Sequence, residues 1–158
     1  MIDLVIDLVA AASPADYASA RRLFEEYAAW LQVDLCFQRF NDELAHLSAM
    51  YGSPTGALIL GRRADEAVAC VGVRRFTDET CEMKRLFVRE EVRGLGLGGR
   101  LARAAVEAGR RLGYRRMVLD TLGRMTSARR LYTGLGFAEI AAYYDNPLPD
   151  VRYMARAL

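Results

Sequence analysis

Arg93-Gly94-Leu95-Gly96-Leu97-Gly98-Gly99 places four glycines in seven residues, between a strand-like run and a helical one. Glycines in such a turn let backbone N–H groups close on an anion with no Cβ in the way. The helix that follows adds its own unpaired N–H groups and the positive end of its dipole. A diphosphate suits this arrangement. The alternative is a turn kept tight for packing alone.

Working outward, three strand-like runs precede the turn: Ala57–Leu60, Ala67–Phe76 and Thr80–Val88. Short polar turns at Ala64-Asp65-Glu66 and Thr77-Asp78-Glu79 separate them, which favours antiparallel pairing. After the turn, a helix is expected over Gly98–Leu112, with Leu101, Ala105 and Ala108 inward and Gly113 as its C-cap. A strand over Arg116–Thr121, a helix over Thr126–Gly134, a strand over Phe137–Tyr144 and a last strand over Val151–Ala157 complete that half. Nearer the start, alternation puts Leu4, Ile6 and Leu8 on one strand face. Ser13-Pro14 then opens a helix carrying Tyr17, Ala20, Leu23, Phe24, Tyr27 and Trp30 at three- and four-residue spacing. A second helix fits Asn41–Ala49, with Leu44, Leu47 and Ser48 turned inward, before the Gly-Ser-Pro-Thr-Gly loop. The order βααβββαβαββ predicts an α+β fold, a three-layer α/β sandwich. Its mixed, mainly antiparallel sheet is flanked by helices, and Glu82 to Thr121 forms a parallel crossover. With no linker or repeat, residues 1–158 are expected to form a single domain.

The chain's balance excludes several classes. A net charge of +2 gives no field for nucleic acid, and Lys84 is the sole lysine among otherwise arginine cations. Cys36, Cys70 and Cys81 are scattered without CxxC spacing, which argues against a zinc site or disulfide framework and for a reducing cytoplasm. His46, the one histidine, reads as an ordinary helix residue, so no metal is expected. Asp3 and Asp7 interrupt the apolar start, against a signal peptide, and no run reaches the ~20 apolar residues a membrane span needs.

Gly94-x-Gly96-x-x-Gly99 also matches a dinucleotide-binding fingerprint, with Asp120 about 20 residues further on where a ribose-binding acid would stand. Against this, the charged run Arg89–Arg93 separates the glycines from the strand, and the remaining chain is too short for a doubly wound sheet. No Gly-Lys-[Ser/Thr] appears, so a P-loop is excluded.

Arg93-x-x-Gly96-x-Gly98 resembles the pyrophosphate-binding signature of the GNAT superfamily of CoA-dependent acetyltransferases. Leu131-Tyr132 followed by Gly136-Phe137 resembles its second hallmark, and the element order matches over nearly the whole chain. The resemblance implies an acetyl-CoA-dependent N-acetyltransferase acting on a small-molecule or protein amine, in the cytoplasm, with a homodimer as the family habit. It implies that Leu86, Phe87 and Val88, on a distorted strand, pair with the pantetheine arm. The backbone from Arg93 through Gly94, Leu95, Gly96, Leu97, Gly98 and Gly99 would hold the diphosphate. Tyr132 is implied as the acid that protonates the departing thiolate; otherwise it is a core tyrosine.

Glu82, eleven residues before Arg93, stands where some members place a catalytic glutamate and is the candidate base that would deprotonate the acceptor's ammonium through water. It reads equally as a strand glutamate pairing with Lys84 or Arg85, or orienting a substrate cation. Lys84 shares its strand face and would hold down its pKa. One departure concerns the CoA arm: Met125 takes the place of a frequent asparagine, leaving Thr126 or Ser127 to replace that contact. The acceptor side is expected around Tyr27, Trp30, Asp34, Phe37, Gln38, Lys84, Tyr143, Tyr144 and Asn146, where aromatics and an acid suit a cationic amine. Tyr27 and Trp30 also fit a core role. Two other classes stay open: a non-catalytic acyl-CoA sensor and a dinucleotide-binding module.

Overall fold

The computed structural model describes residues 5–35 and 39–158. Strand β1 (Asp7–Ala10) leads to helix α1 (Pro14–Leu31), then to two short helices, α2 (Phe40–Ala45) and α3 (Leu47–Met50). Strands β2 (Ala57–Arg63), β3 (Glu66–Arg75) and β4 (Thr80–Val88) follow. Helix α4 (Leu97–Arg111), strand β5 (Arg116–Leu122), helix α5 (Thr126–Gly134) and strands β6 (Ala138–Ile140) and β7 (Val151–Ala157) end the chain. These strands form one seven-stranded sheet in the order β1-β2-β3-β4-β5-β7-β6. Only β4 and β5 run parallel. The mixed sheet flanked by helices is the fold that the element order predicts, and it is not a doubly wound parallel sheet. Among the described residues no helix is long and apolar enough to cross a membrane.

Local chemistry explains the elements. Ser13 Oγ accepts the Asp16 N–H at 3.1 Å while Asp16 accepts the Ser13 N–H at 3.2 Å, a reciprocal cap reinforced by Pro14. From there α1 buries Ala20, Leu23 and Phe24 against one face of the sheet, where they meet Leu58, Leu60, Cys70 and Phe87. Helix α4 covers the opposite face with Leu97, Leu101, Ala102, Ala105 and Val106. Each of its buried leucines contributes about 1.5–3 kcal/mol of transfer free energy.

Three expectations need correction. The second helix breaks at His46, whose φ of −131° and ψ of 33° leave the helical region. The break turns Ser48 to solvent, not inward, and buries Glu43 instead. The strand expected over Phe137–Tyr144 stops at Ile140, because Tyr143 and Tyr144 are drawn off the sheet by carboxylates described below. Leu4, Cys36, Phe37 and Gln38 lie outside the described residues.

Candidate active site

Strand β4 is distorted between Lys84 and Phe87. Cys70 pairs with Phe87 but Gly72 pairs with Lys84, so β4 carries one extra residue there. Side chains follow the same break. Met83 and Phe87, which regular alternation would put on one face, lie in opposite cores. Arg85 takes up the irregularity with a φ of 61°, a conformation that costs a non-glycine residue about 1–2 kcal/mol.

Its side chain is held in return. Glu43 of α2 accepts from Arg85 Nε at 2.9 Å and from Nη2 at 2.9 Å, and from the Tyr51 hydroxyl at 3.0 Å. Burial alone would raise the Glu43 pKa. The Arg85 hydrogen bonds and charge, with Lys84 and Arg74 behind them, leave it below its ordinary value.

The parallel pair is short. β4 and β5 pair only from Thr80–Arg116 to Glu82–Val118. Beyond that point β5 continues along β7 alone, so the sheet opens into a V between the bulge and Leu119. Two cavities occupy this opening and the surface beside it. The larger, about 650 Å³, runs from Leu86, Phe87 and Val88 past Arg93, Gly94, Gly96, Leu97 and Gly98 to Thr126 and Ser127 at the start of α5. Arg93 and Arg124 line it and, among the described residues, no acidic one does, which suits a polyanion. Gly94 and Gly96 have φ of 83° and 74° and open space where a Cβ would stand. The smaller cavity, about 70 Å³, lies between the splayed strands and is bordered by Tyr27, Lys84, Asp120, Tyr132 and Asn146. Leu31, Leu86, Met125 and Ala128 belong to both walls, so the two spaces adjoin at the bulge.

Ten of the cofactor-side residues read from the sequence therefore come together on one groove; Leu95 and Gly99 flank it without lining it. Tyr132 borders the smaller cavity, packed edge-on to Phe137 at 5.9 Å between centroids. Burial pushes its pKa up, helped by Tyr27 and Asp120. Trp30 stands on the groove wall under Arg93, whose guanidinium lies 5.0 Å from the ring centroid. It is 47% exposed, so it is not a core residue. Arg93 Nε also donates to Val88 O at 2.9 Å, tying the turn back to the end of β4. Asp34 is exposed and borders neither cavity.

Glu82 is buried on the α1 face of the sheet. Its Oε1 accepts from Arg74 Nε at 2.9 Å and its Oε2 from the Tyr143 hydroxyl at 2.5 Å. Arg74, not Lys84 or Arg85, is its ion-pair partner. Asp120, on the same face of β5, accepts the Tyr144 hydroxyl at 2.5 Å and Asn146 Nδ2 at 3.5 Å. The two tyrosine rings pack tilted against each other and edge-on against Tyr153, so residues 143–146 form a strap over both carboxylates. Arg74, Asp120 and Glu43 escaped the sequence reading as site residues. Only Asp120 carried a signal, and that signal pointed to a ribose. In the structure Asp120 faces the smaller cavity and not the glycine turn.

Comparison with known proteins agrees with this geometry. The model of the acetyltransferase (GNAT) family matches residues 18–137. The chain belongs to the GNAT family. An uncharacterized N-acetyltransferase of Schizosaccharomyces pombe is 42% identical over 153 residues, covering 94% of this chain and 93% of that one. Among solved structures, an acetyltransferase from Streptococcus agalactiae superposes with a TM-score of 0.79 at 21% identity, covering 97% of this chain and 98% of the other. A GNAT-family acetyltransferase from Staphylococcus aureus gives 0.78 at 19%, covering 97% and 99%. These two establish the fold. The family relation makes the chain an acyltransferase of the N-acetyltransferase kind, and GNAT enzymes use acyl-CoA donors and amine acceptors.

Proposed function

We propose that this GNAT protein transfers an acetyl group from acetyl-CoA to a primary amine of a small molecule or protein by direct attack. The observation that carries this reading is the adjoining pair of cavities. A groove with two cations and no acid meets, at the bulged strand, a narrow space bordered by a carboxylate and a buried tyrosine. The glycine turn and the first turn of α4 would hold the diphosphate through backbone N–H groups, with Arg93 and Arg124 beside it. Thr126 and Ser127 supply hydroxyls where Met125 supplies none. The free backbone at Leu86–Val88 would pair with the pantetheine arm, and a bulge N–H near Leu86 would face the thioester carbonyl. Tyr132 is the proton donor for the departing thiolate, and its raised pKa keeps it protonated for that task. Two carboxylates share the acceptor face. Glu82, with each oxygen engaged, acts through the Tyr143 hydroxyl that it holds, whereas Asp120 borders the cavity itself.

A thermal-shift panel of acetyl-CoA, CoA, NAD and ATP tests the donor. A ligand at 100 times its Kd adds about 2.7 kcal/mol, a shift of several degrees for a protein of this size. Stabilisation by acetyl-CoA and CoA alone is expected, followed by thiol release in a screen of amines. Stabilisation by NAD with none from CoA would overturn the reading. CoA binding without turnover on any amine would make the protein an acyl-CoA sensor.

The glycine turn gives a second expected outcome. Gly96→Trp forces a bulky residue into a φ of 74° and sets its ring on the groove. CoA affinity is expected to fall about 10- to 100-fold, since each hydrogen bond to a charged group contributes roughly 1.5–3 kcal/mol. Titration of CoA by calorimetry would read it, and unchanged affinity would remove the diphosphate from this turn.

A further inference from the structure

Glu82 and Asp120 both carry negative charge on the acceptor face, yet they are not equivalent. Each oxygen of Glu82 receives a hydrogen bond from a side chain, and the residue is 1% exposed. At Asp120 the Tyr144 and Asn146 hydrogen bonds both land on Oδ2. No sealed side-chain oxygen among the described residues lacks a partner, so Oδ1, which receives none of these bonds, is not sealed off, and Asp120 lines the cavity. That cavity adjoins the groove at Leu86, the bulge position assigned above to the thioester. Its volume of about 70 Å³ is enough to admit the end of a small cation. The positive groups nearby are already committed or weakened. Arg85 is bound by Glu43 and Arg74 by Glu82. Lys84, on the same cavity, has its ammonium destabilised first by burial and then by Arg85, which the charges of Glu82 and Asp120 offset only in part.

We propose that Asp120 is the counter-charge that receives the acceptor's ammonium. Tyr144 and Asn146 act as positioning residues that hold Oδ2 and aim Oδ1 at the cavity. Glu82 has the parallel task of fixing Tyr143 in the strap. The inference rests on the acetyltransferase reading for the place of the thioester, but it is tested without turnover.

The experiment is a chemical-shift titration of the full chain, saturated with CoA, with ethylammonium and ethanol as probes. Ethylammonium is expected to perturb the amides of β4 and β5 around the cavity, with ethanol weaker. Asp120→Asn, which keeps the shape and removes the charge, is expected to weaken ethylammonium about tenfold or more, the scale of one hydrogen bond to a charged group. Tyr144→Phe is expected to weaken it less, because the charge remains. Equal binding of ethylammonium and ethanol to the unaltered protein would overturn the proposal even if Asp120→Asn failed to fold. So would unchanged ethylammonium binding in a folded Asp120→Asn variant. Should CoA fail to bind while the ammonium response survives, the donor assignment would fall and the Asp120 site would stand.

Discussion

Glu43→Ala is expected to cost about 3–5 kcal/mol of stability, the range for removing one partner of a buried ion pair. The reason lies in what it leaves behind. Arg85 is buried in the same cluster and would keep its charge with no counter-ion, and Tyr51 would lose the acceptor of its hydroxyl. Urea denaturation would show the loss as a lower midpoint at unchanged slope. Replacing both partners with apolar residues, Glu43→Leu with Arg85→Met, is expected to recover most of it, since the desolvation of two charges is then avoided. The pH dependence has a definite sign. Glu43 has a depressed pKa in the folded state, so its contribution is present above the ordinary carboxylate value of 4.5 and is lost as pH falls through the folded-state pKa. Glu43→Gln should therefore flatten the acid side of the stability curve. A cost below 1 kcal/mol for Glu43→Ala would mean that Arg85 finds water or another partner. The same pair holds the bulge that separates β4 from β5, so the variant is also expected to weaken CoA binding.

This pair shows where sequence reading stops. Thr80–Val88, Thr126–Gly134 and Val151–Ala157 were legible with the bounds the structure gives them, because each is a periodic run closed by turn chemistry within a few residues. The glycine turn was legible for the same reason: its meaning is local. Glu43 and Arg85 are 42 residues apart, and each reads alone as a solvated charge. In the alternation of Thr80–Val88 the bulge shows only as the adjacent polar pair Lys84-Arg85, which a surface stretch of strand would explain as well. Tyr143-Tyr144 has strand propensity, so the run from Phe137 reads as a strand through them. It is two hydrogen bonds to carboxylates on β4 and β5 that take the tyrosines off the sheet, and those are tertiary facts. Asp120 was visible but misdirecting, because its spacing from the glycines counts along the chain while its cavity lies on the other side of the bulge. Glycines and periodicity located the donor groove; the acceptor side depends on pairings across the sheet.

Tyr132→Phe is expected to lower kcat by about 100-fold or more while leaving the Kd of CoA nearly unchanged. The rate estimate follows from general-acid assistance, which contributes typically about 10²–10⁴-fold. The affinity expectation follows from geometry: Tyr132 borders the smaller cavity, whereas the groove assigned to CoA is lined by Arg93 through Gly98 and by Thr126 and Ser127. Phenylalanine keeps the ring that packs at 5.9 Å against Phe137, so the variant should fold. Burial raises the hydroxyl's pKa, which keeps the proton in place at neutral pH and makes the phenolate costly. The protonated hydroxyl would therefore steady the thiolate leaving a tetrahedral carbon at the Leu86 bulge by donating a hydrogen bond to it, with the proton passing as the C–S bond breaks and being restored from solvent. Steady-state thiol release with an acceptor from the amine screen, alongside calorimetric titration of CoA, separates the two quantities. Full kcat with intact CoA binding would reduce Tyr132 to a core tyrosine. The thiolate's proton would then have to come from solvent through the opening between β4 and β5.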